Sequence, residues 1–287
     1  MREIVIISGK GGTGKTTVTA AFASLAKNKV MADCDVDAAD LHLILAPEIK
    51  HREDFRSGKS ALIREADCTQ CGKCIELCRF DAIDDNFVVD PVSCEGCGVC
   101  VWFCPAEAID FKENTSGQWF ISDTRFGPLV HAKLGIAEEN SGKLVTLVRR
   151  QAKQVAESES LDTIIIDGAP GVGCPVISSI TGSSAVLIVS EPTLSGLHDM
   201  KRVAELATGH FNIQTFVCVN KYDLNQEITN QIKAHCDANQ LTFVGQIPYD
   251  ESVTRAMVQG KNVIEYGNEI VKRAIESIWD NLLNNLP

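Results

Sequence analysis

The stretch Ser8-Gly9-Lys10-Gly11-Gly12-Thr13-Gly14-Lys15-Thr16-Thr17 has the residue types and spacing to hold phosphate. Its glycines let backbone N–H groups turn inward around phosphate oxygens, where side chains would collide. Lys15 is placed to reach the β- and γ-phosphates of a nucleotide, and the Thr16 hydroxyl to hold Mg²⁺. The expected nucleotide-binding run is therefore Gly9, Lys10, Gly11, Gly12, Thr13, Gly14, Lys15, Thr16 and Thr17. An apolar run, Ile4-Val5-Ile6-Ile7, precedes it and a helix-forming run over 18–27 follows. Strand, Gly-rich turn and helix in that order make a phosphate loop. Lys10 is surplus to that task, since an ordinary phosphate loop needs no lysine two residues into the turn.

The second chemical signal is sulfur. Of twelve cysteines, eight fall within 68–104. Cys68, Cys71, Cys74 and Cys78 repeat as Cys94, Cys97, Cys100 and Cys104, and Ala82-Ile83 returns at the same offset as Ala108-Ile109. Each half has the spacing of a bacterial two-cluster ferredoxin. Three cysteines in a tight loop surround three corners of a cubane, and the fourth points to the other cluster. The spacing thus assigns Cys68, Cys71, Cys74 and Cys104 to one [4Fe–4S] cluster and Cys94, Cys97, Cys100 and Cys78 to the other. Pro105 follows the last cysteine, whereas Arg79 stands at the equivalent first position and adds a charge near one cluster. The alternative is zinc, which paired C-x-x-C spacings also bind. Segment 66–110 holds nine acids against Lys73 and Arg79, a balance that suits a basic partner or a plain solvated surface.

The elements that position these groups follow from apolar patterning. A strand over 29–33 runs into Asp33-Cys34-Asp35-Val36-Asp37, with acids where α/β sheets bind ligands. One of them, Asp37, is assigned to capping a helix over 38–45. Ile164-Ile165-Ile166-Asp167 reads as a buried parallel strand ending in an acid, the Walker B pattern, with Asp167 at the Mg²⁺ hydration shell. Further strands over 185–190, 215–219 and 241–247 end in Glu191-Pro192-Thr193, Asn220-Lys221-Tyr222-Asp223 and Pro248-Tyr249-Asp250. An asparagine and an acid after a strand can read a nucleobase; Asp223 alternatively caps a helix over 225–239. Helices are expected over 143–158, 195–208 and 268–286, the last with an apolar stripe of Ile270, Val271, Ala274, Ile275, Ile278, Leu282 and Leu286. Segment 47–67 reads as a polar crossing with a short strand over 60–64, 111–134 as a β-hairpin, and 139–142 as a polar turn. Strands alternating with helices predict an α/β fold, a doubly wound, mostly parallel sheet, with a small α+β ferredoxin domain inserted. The expected boundaries are 1–59 and 113–287 for the nucleotide domain and 60–112 for the insert.

Composition sets limits. The chain has 287 residues, 45% apolar, and a net charge of −11, which argues against a nucleic-acid surface. No apolar run spans a bilayer, and the N-terminus enters a strand at once, so a cytoplasmic protein is expected, where thiols stay reduced.

The spelling G-K-G-G-T-G-K-T resembles the deviant phosphate loop of the MinD/Mrp/ParA ATPases, a family that includes the nitrogenase iron protein. The resemblance implies ATP/ADP and Mg²⁺ as cofactors and a homodimer in which Lys10 reaches the partner's nucleotide. It implies that Asp35, in a D-x-D pair, orients the attacking water, with Asp33 nearer the magnesium and Lys15 catalytic beside Lys10. It also implies that Asp167-Gly168-Ala169-Pro170-Gly171 is switch II, with the Gly171 N–H donating to the γ-phosphate. Asn220 matches the adenine-side residue, and Pro248 and Asp250 a turn against the base or ribose. Cys174, beside switch II, matches the region where the iron protein bridges a cluster; an unliganded thiol is the plainer reading. MinD ends in a basic amphipathic membrane helix. Here Glu269, Glu276 and Asp280 outnumber Lys272 and Arg273, so no membrane partner is expected.

The function expected first is an ATP-hydrolysing iron–sulfur protein that couples hydrolysis to electron transfer to, or maturation of, an unidentified metalloenzyme partner. The alternatives are a cluster carrier, and a MinD/ParA-like spatial-organising switch with structural clusters. The acidic surface and the lack of a basic membrane helix weigh against the last.

Overall fold

The structure is a computed structural model that describes residues 1–135 and 141–286. Among the described residues nine strands form one sheet: β1 Arg2–Ser8, β2 Lys29–Asp33, β3 Glu48–Ile63, β4 Ile109–Thr124, β5 Gly127–Leu134, β6 Thr163–Pro170, β7 Ala185–Ser190, β8 Gln214–Asn220 and β9 Thr242–Ile247. Their order is β3-β4-β5-β2-β6-β1-β7-β8-β9. From β5 to β9 across the sheet, every neighbouring pair is parallel. The cause is the apolar run in each central strand: both faces must be covered, so helices cross over between strands. Ile4, Ile6, Leu187, Val189, Phe216 and Cys218 pack on one face against Val18, Ala21 and Phe22 of the helix Lys15–Leu25. The C-terminal helix Glu269–Asn284 closes that core with Val271, Ile275, Ile278, Trp279 and Leu282. Its stripe differs from expectation: Ile270 is exposed, and Trp279 takes the inner place, with its ring 4.7 Å from Phe22.

Contacts divide the chain into two units. One comprises Met1–Arg52, Trp119–Lys133 and Ser141 onward; the other is built on Glu53–Gln118. The second unit is wider than the expected 60–112 because two strands are longer than their sequence suggests. The supposed polar crossing is the sixteen-residue strand β3, and β4 starts at Ile109. β3 was illegible because most of its residues are exposed, so it lacks a buried face to impose apolar alternation. Within this unit, helices Lys73–Leu77 and Val99–Trp102 begin after Gly72 and Gly98, at equivalent positions of the repeat and both at positive φ. Ala61, Cys74, Ile83 and Ile109 are buried together, with Ile63, Phe87 and Val89 packed on them.

Other boundaries shift by local chemistry. The helix expected over 38–45 is Leu41–Leu45, preceded by a turn in which Ala38 N–H donates to Asp35 O at 3.0 Å. Asn225, not Asp223, caps the helix Gln226–Ala238. Helices Glu251–Val258 and Val263–Tyr266 were not expected; their caps, Asp250 and Asn262, are the legible signal. The turn expected over 139–142 lies, up to 140, outside the described residues. Among the described residues no helix is long and apolar enough to cross a membrane.

His131 on β5 is buried, with its Nε2 3.0 Å from Ser122 Oγ. Burial, with His42 second, pushes its pKa down from 6.5 to about 4. The neutral ring is favoured by folding, so its stabilisation is full above pH 6.5 and is lost as pH falls toward 4. Between pH 7.5 and 5 the nucleotide-free chain should lose about 2 kcal/mol through this group. Denaturant melts of the wild type and of His131→Phe at both pH values check it; an equal pH slope in the two would refute it.

Candidate functional site: a phosphate loop against buried carboxylates

The loop between β1 and the first helix sits at the C-terminal ends of the parallel strands, where α/β sheets bind ligands. Gly14 must be glycine for two reasons. Its φ is 93°, and a Cβ there would lie 2.2 Å from the Asn220 amide. That amide donates to Thr13 O at 2.8 Å, while Asn220 Oδ1 accepts from Lys221 N–H at 3.0 Å. Asn220 thus ties the end of β8 to the loop. The Thr13 hydroxyl is buried and has no partner within the protein. Orphaned donors are rare, and one in a phosphate loop fits an anionic ligand.

Lys15 lies at the centre. Its ammonium is 2.8 Å from Asp167 Oδ1 and 3.2 Å from Asp35 Oδ2, and is buried. Burial alone would lower the Lys15 pKa, but Asp167 and then Asp35 outweigh it and hold the ammonium above its ordinary value. The Thr16 hydroxyl donates to Asp167 Oδ2 at 2.7 Å. Asp33 and Asp167 are paired across β2 and β6, which places two acids side by side at the strand ends. Burial first, then repulsion from Asp167, raises the Asp33 pKa well above the carboxylate range. Asp35 is also raised, by burial despite Lys15. Asp35 and Asp167 flank the Lys15 ammonium with the Thr16 hydroxyl beside them, hard oxygen donors of the kind that fit a magnesium ion.

Several expected residues are engaged otherwise than anticipated. The Gly171 N–H donates to Ser8 O at 2.8 Å, so in this state it is not free for a phosphate; the hydrogen bond extends the β1–β6 pairing beyond Ser8 and Pro170. Both Asp33 oxygens accept backbone N–H groups, from Asp35 and Leu41, each at 3.2 Å. Asp250 accepts from Ser252 N–H at 2.7 Å and from the Asn268 amide, which makes it a helix cap. Its neighbour Tyr249 donates its N–H to Asp223 at 2.7 Å, which joins the turns after β8 and β9. Thr17 faces Met257, at 3.7 Å. Lys10 points along the surface of its own chain, 3.1 Å from Ser195 Oγ and 3.6 Å from Glu191, which Lys221 also holds at 2.6 Å. Cys174 is exposed, at the start of the helix Cys174–Ile180.

Sequence reasoning missed Thr19. Its hydroxyl donates to Lys15 O and to Asp167 Oδ1, both at 3.0 Å, and so fixes the carboxylate that faces Thr16. The available signal was a polar residue on the buried face of an otherwise apolar helix, one turn after Lys15.

In the second unit the eight cysteines line two separate cavities. One is lined by Cys78, Cys94, Cys97 and Cys100 with Phe80 and Phe111. The other is lined by Cys68, Cys71, Cys74 and Cys104 with Phe87 and Pro105. Cys78 and Cys104 therefore each join the cavity of the opposite run. Every thiol is free. Among the described residues no His, Cys, Asp and Glu side chains cluster as a single-ion metal site.

A mostly parallel sheet with this loop, Lys15 and Thr16 at the start of its helix, and an acid in β6 beside them defines a P-loop nucleotide-binding protein. The family described as CobQ/CobB/MinD/ParA nucleotide binding domain matches residues 4–263, and the chain belongs to it. It is a nucleotide-binding protein of that family. It is 35% identical over 283 residues to the uncharacterized protein MJ0578 of Methanocaldococcus jannaschii, covering 98% of this chain and 96% of that one. Its fold is similar to that of the cell division ATPase MinD of Pyrococcus furiosus, with a TM-score of 0.60 at 19% identity, covering 99% of this chain and 98% of that one. It is also similar to the septum site-determining protein MinD of Pyrococcus horikoshii solved with Mg-ADP, with a TM-score of 0.61 at 19% identity, covering 99% and 97%.

Proposed function

We propose that the chain is an ATP-driven switch of the MinD/ParA kind. It binds ATP with Mg²⁺, pairs with a second copy, hydrolyses ATP to ADP and phosphate, and so alternates between two association states. The resemblance to MinD supports this reading over electron delivery to a metalloenzyme, the function that the cysteine spacing put first. The Mg-ADP complex of the Pyrococcus horikoshii protein supports the cofactors. The observation that carries the reading is the division of labour between two lysines on one loop. Lys15 is buried among carboxylates, whereas the Lys10 side chain is 34% exposed and held by Glu191 and Ser195.

In the proposed cycle Lys15 exchanges its carboxylate partners for the β- and γ-phosphates. Thr16 and Asp167, with Asp33 behind them, would hold Mg²⁺, which would supply positive charge against the phosphates. Asp35, freed from Lys15, orients the attacking water. Lys10 leaves Glu191 and reaches the partner's nucleotide, where it stabilises charge on the transferred phosphoryl group. Lys10→Ala should keep ATP affinity within a few-fold while lowering hydrolysis and ATP-dependent dimerisation together, by about 10²-fold or more for the rate. Nucleotide titration, phosphate release and light scattering measure the three quantities. Normal turnover in Lys10→Ala would defeat the trans role.

A second reading concerns the insert, 60–112, and rests on the two cavities. Each is lined by four cysteines, grouped as the spacing of a two-cluster ferredoxin would require, which supports this reading. The insert would hold two [4Fe–4S] clusters, which supply one-electron redox chemistry and serve as the output or sensing element of the switch. Anaerobically prepared chain should then contain about eight iron atoms, four for each cubane. A colourless, iron-free preparation would remove the clusters and leave the ATP switch standing.

A further inference from the structure

The two cavities are built from a sequence repeat that breaks at several charged positions; Glu76, opposite Trp102, lines neither cavity, and two of the breaks fall on residues that do line them. Thr69 corresponds to Glu95 and Lys73 to Val99, each pair equally placed relative to its cysteines. All four residues line the cavities. Thr69 and Lys73 line the one with Cys68, Cys71, Cys74 and Cys104; Glu95 and Val99 line the other. One cavity therefore gains a cation and the other an anion. Arg79, which follows Cys78, does not line either cavity, although its neighbour Phe80 does. In the Lys73 cavity the Ala108 N–H also donates to Cys104 Sγ at 3.4 Å.

We infer that the insert is electrically polarised, so that the cluster beside Lys73 has the higher reduction potential and the cluster beside Glu95 the lower. The inference rests on the cluster reading above. Adding an electron to a cubane makes it more negative. A nearby ammonium and an N–H bonded to a ligand sulfur stabilise that charge, and a nearby carboxylate opposes it. Lys73 and Glu95 are both exposed, so water and salt damp their effect, and low ionic strength enlarges it. One electron entering the oxidised protein settles at the site of Cys68, Cys71, Cys74 and Cys104. This gives the module a fixed direction, from the Glu95 side to the Lys73 side.

The test is anaerobic potentiometric EPR of the full chain, with dithionite as the one-electron reductant and iron content measured on every sample. Two variants swap each charged residue for its repeat partner, Lys73→Val and Glu95→Thr. The wild type should show two signals that appear at separate potentials. Lys73→Val should shift the earlier-reduced signal downward and leave the later one in place. Glu95→Thr should shift the later signal upward and leave the earlier one in place, and the double variant should narrow the separation. A shift of the later signal in Lys73→Val, or an unchanged separation in the double variant with full iron, overturns the polarity alone. An iron-free wild type overturns the cluster reading beneath it.

Discussion

Replacing Lys15 by alanine should abolish hydrolysis and weaken the fold at the same time. Among the described residues, Lys15 is the one cation within reach of both Asp35 and Asp167, at 3.2 and 2.8 Å. Removing one partner of a buried ion pair typically costs about 3–5 kcal/mol, because the remaining charge is left uncompensated. Here the repelling acids are already crowded: Asp33 is fully buried beside Asp167. The melting temperature of nucleotide-free Lys15→Ala should therefore fall by several degrees, and added Mg²⁺ should recover part of the loss by supplying the missing charge. The rate of phosphate release should fall by at least about 10²-fold, as it does when a preorganised charge facing the transferred phosphoryl is removed. Lys15→Arg separates the two effects. It keeps the charge and much of the stability but cannot place an ammonium as a point charge on the phosphates, so hydrolysis stays low. An alanine variant that melts with the wild type would show that the lysine–carboxylate network does not hold the site together.

Changing Asp35 to asparagine should uncouple binding from hydrolysis. Asp35 is buried, and its pKa is pushed up by burial and drawn down by Lys15, with a net rise. Once Lys15 turns to phosphate, the carboxylate is free to accept from water, and it does so only when ionised. The wild-type rate should accordingly rise with pH along an acidic limb set by this group. In Asp35→Asn the limb should vanish and the rate drop by about 10²–10⁴-fold, the usual range for a positioned base. ATP affinity should change little, so the variant should accumulate as the ATP-bound dimer. A variant that hydrolyses normally, or that keeps the acidic limb, would move the water-orienting role away from Asp35.

Much of the nucleotide unit was legible because its chemistry is local. The phosphate loop is contiguous, and the central strands advertise themselves as apolar runs ending in Asp33, Asp167 and Asn220. What stayed hidden is what depends on geometry between distant segments. Nothing in the spelling shows that Gly171 N–H is taken by Ser8, that Lys10 folds onto Glu191, or that Asp250 spends both oxygens on backbone and Asn268. Asn220 was legible as a site residue, yet its side chain is used to brace Thr13. In the second unit the cysteines and the glycines at the helix starts could be read as a repeat. The long strand β3 could not, because an exposed strand of charged residues has no period to detect. The inward turn of Thr19 illustrates the same limit on a smaller scale, since a threonine in a helix signals nothing until its partner across the sheet is known.

The proposed cycle turns on a change of association with nucleotide state. The most direct measurement is the molar mass of the wild-type chain in solution, by light scattering, with Mg²⁺ and a non-hydrolysable ATP analogue and again with Mg²⁺ and ADP. A dimer with the analogue and a monomer with ADP is the predicted result. The same mass in both, at concentrations where both nucleotides are shown to bind, would contradict it.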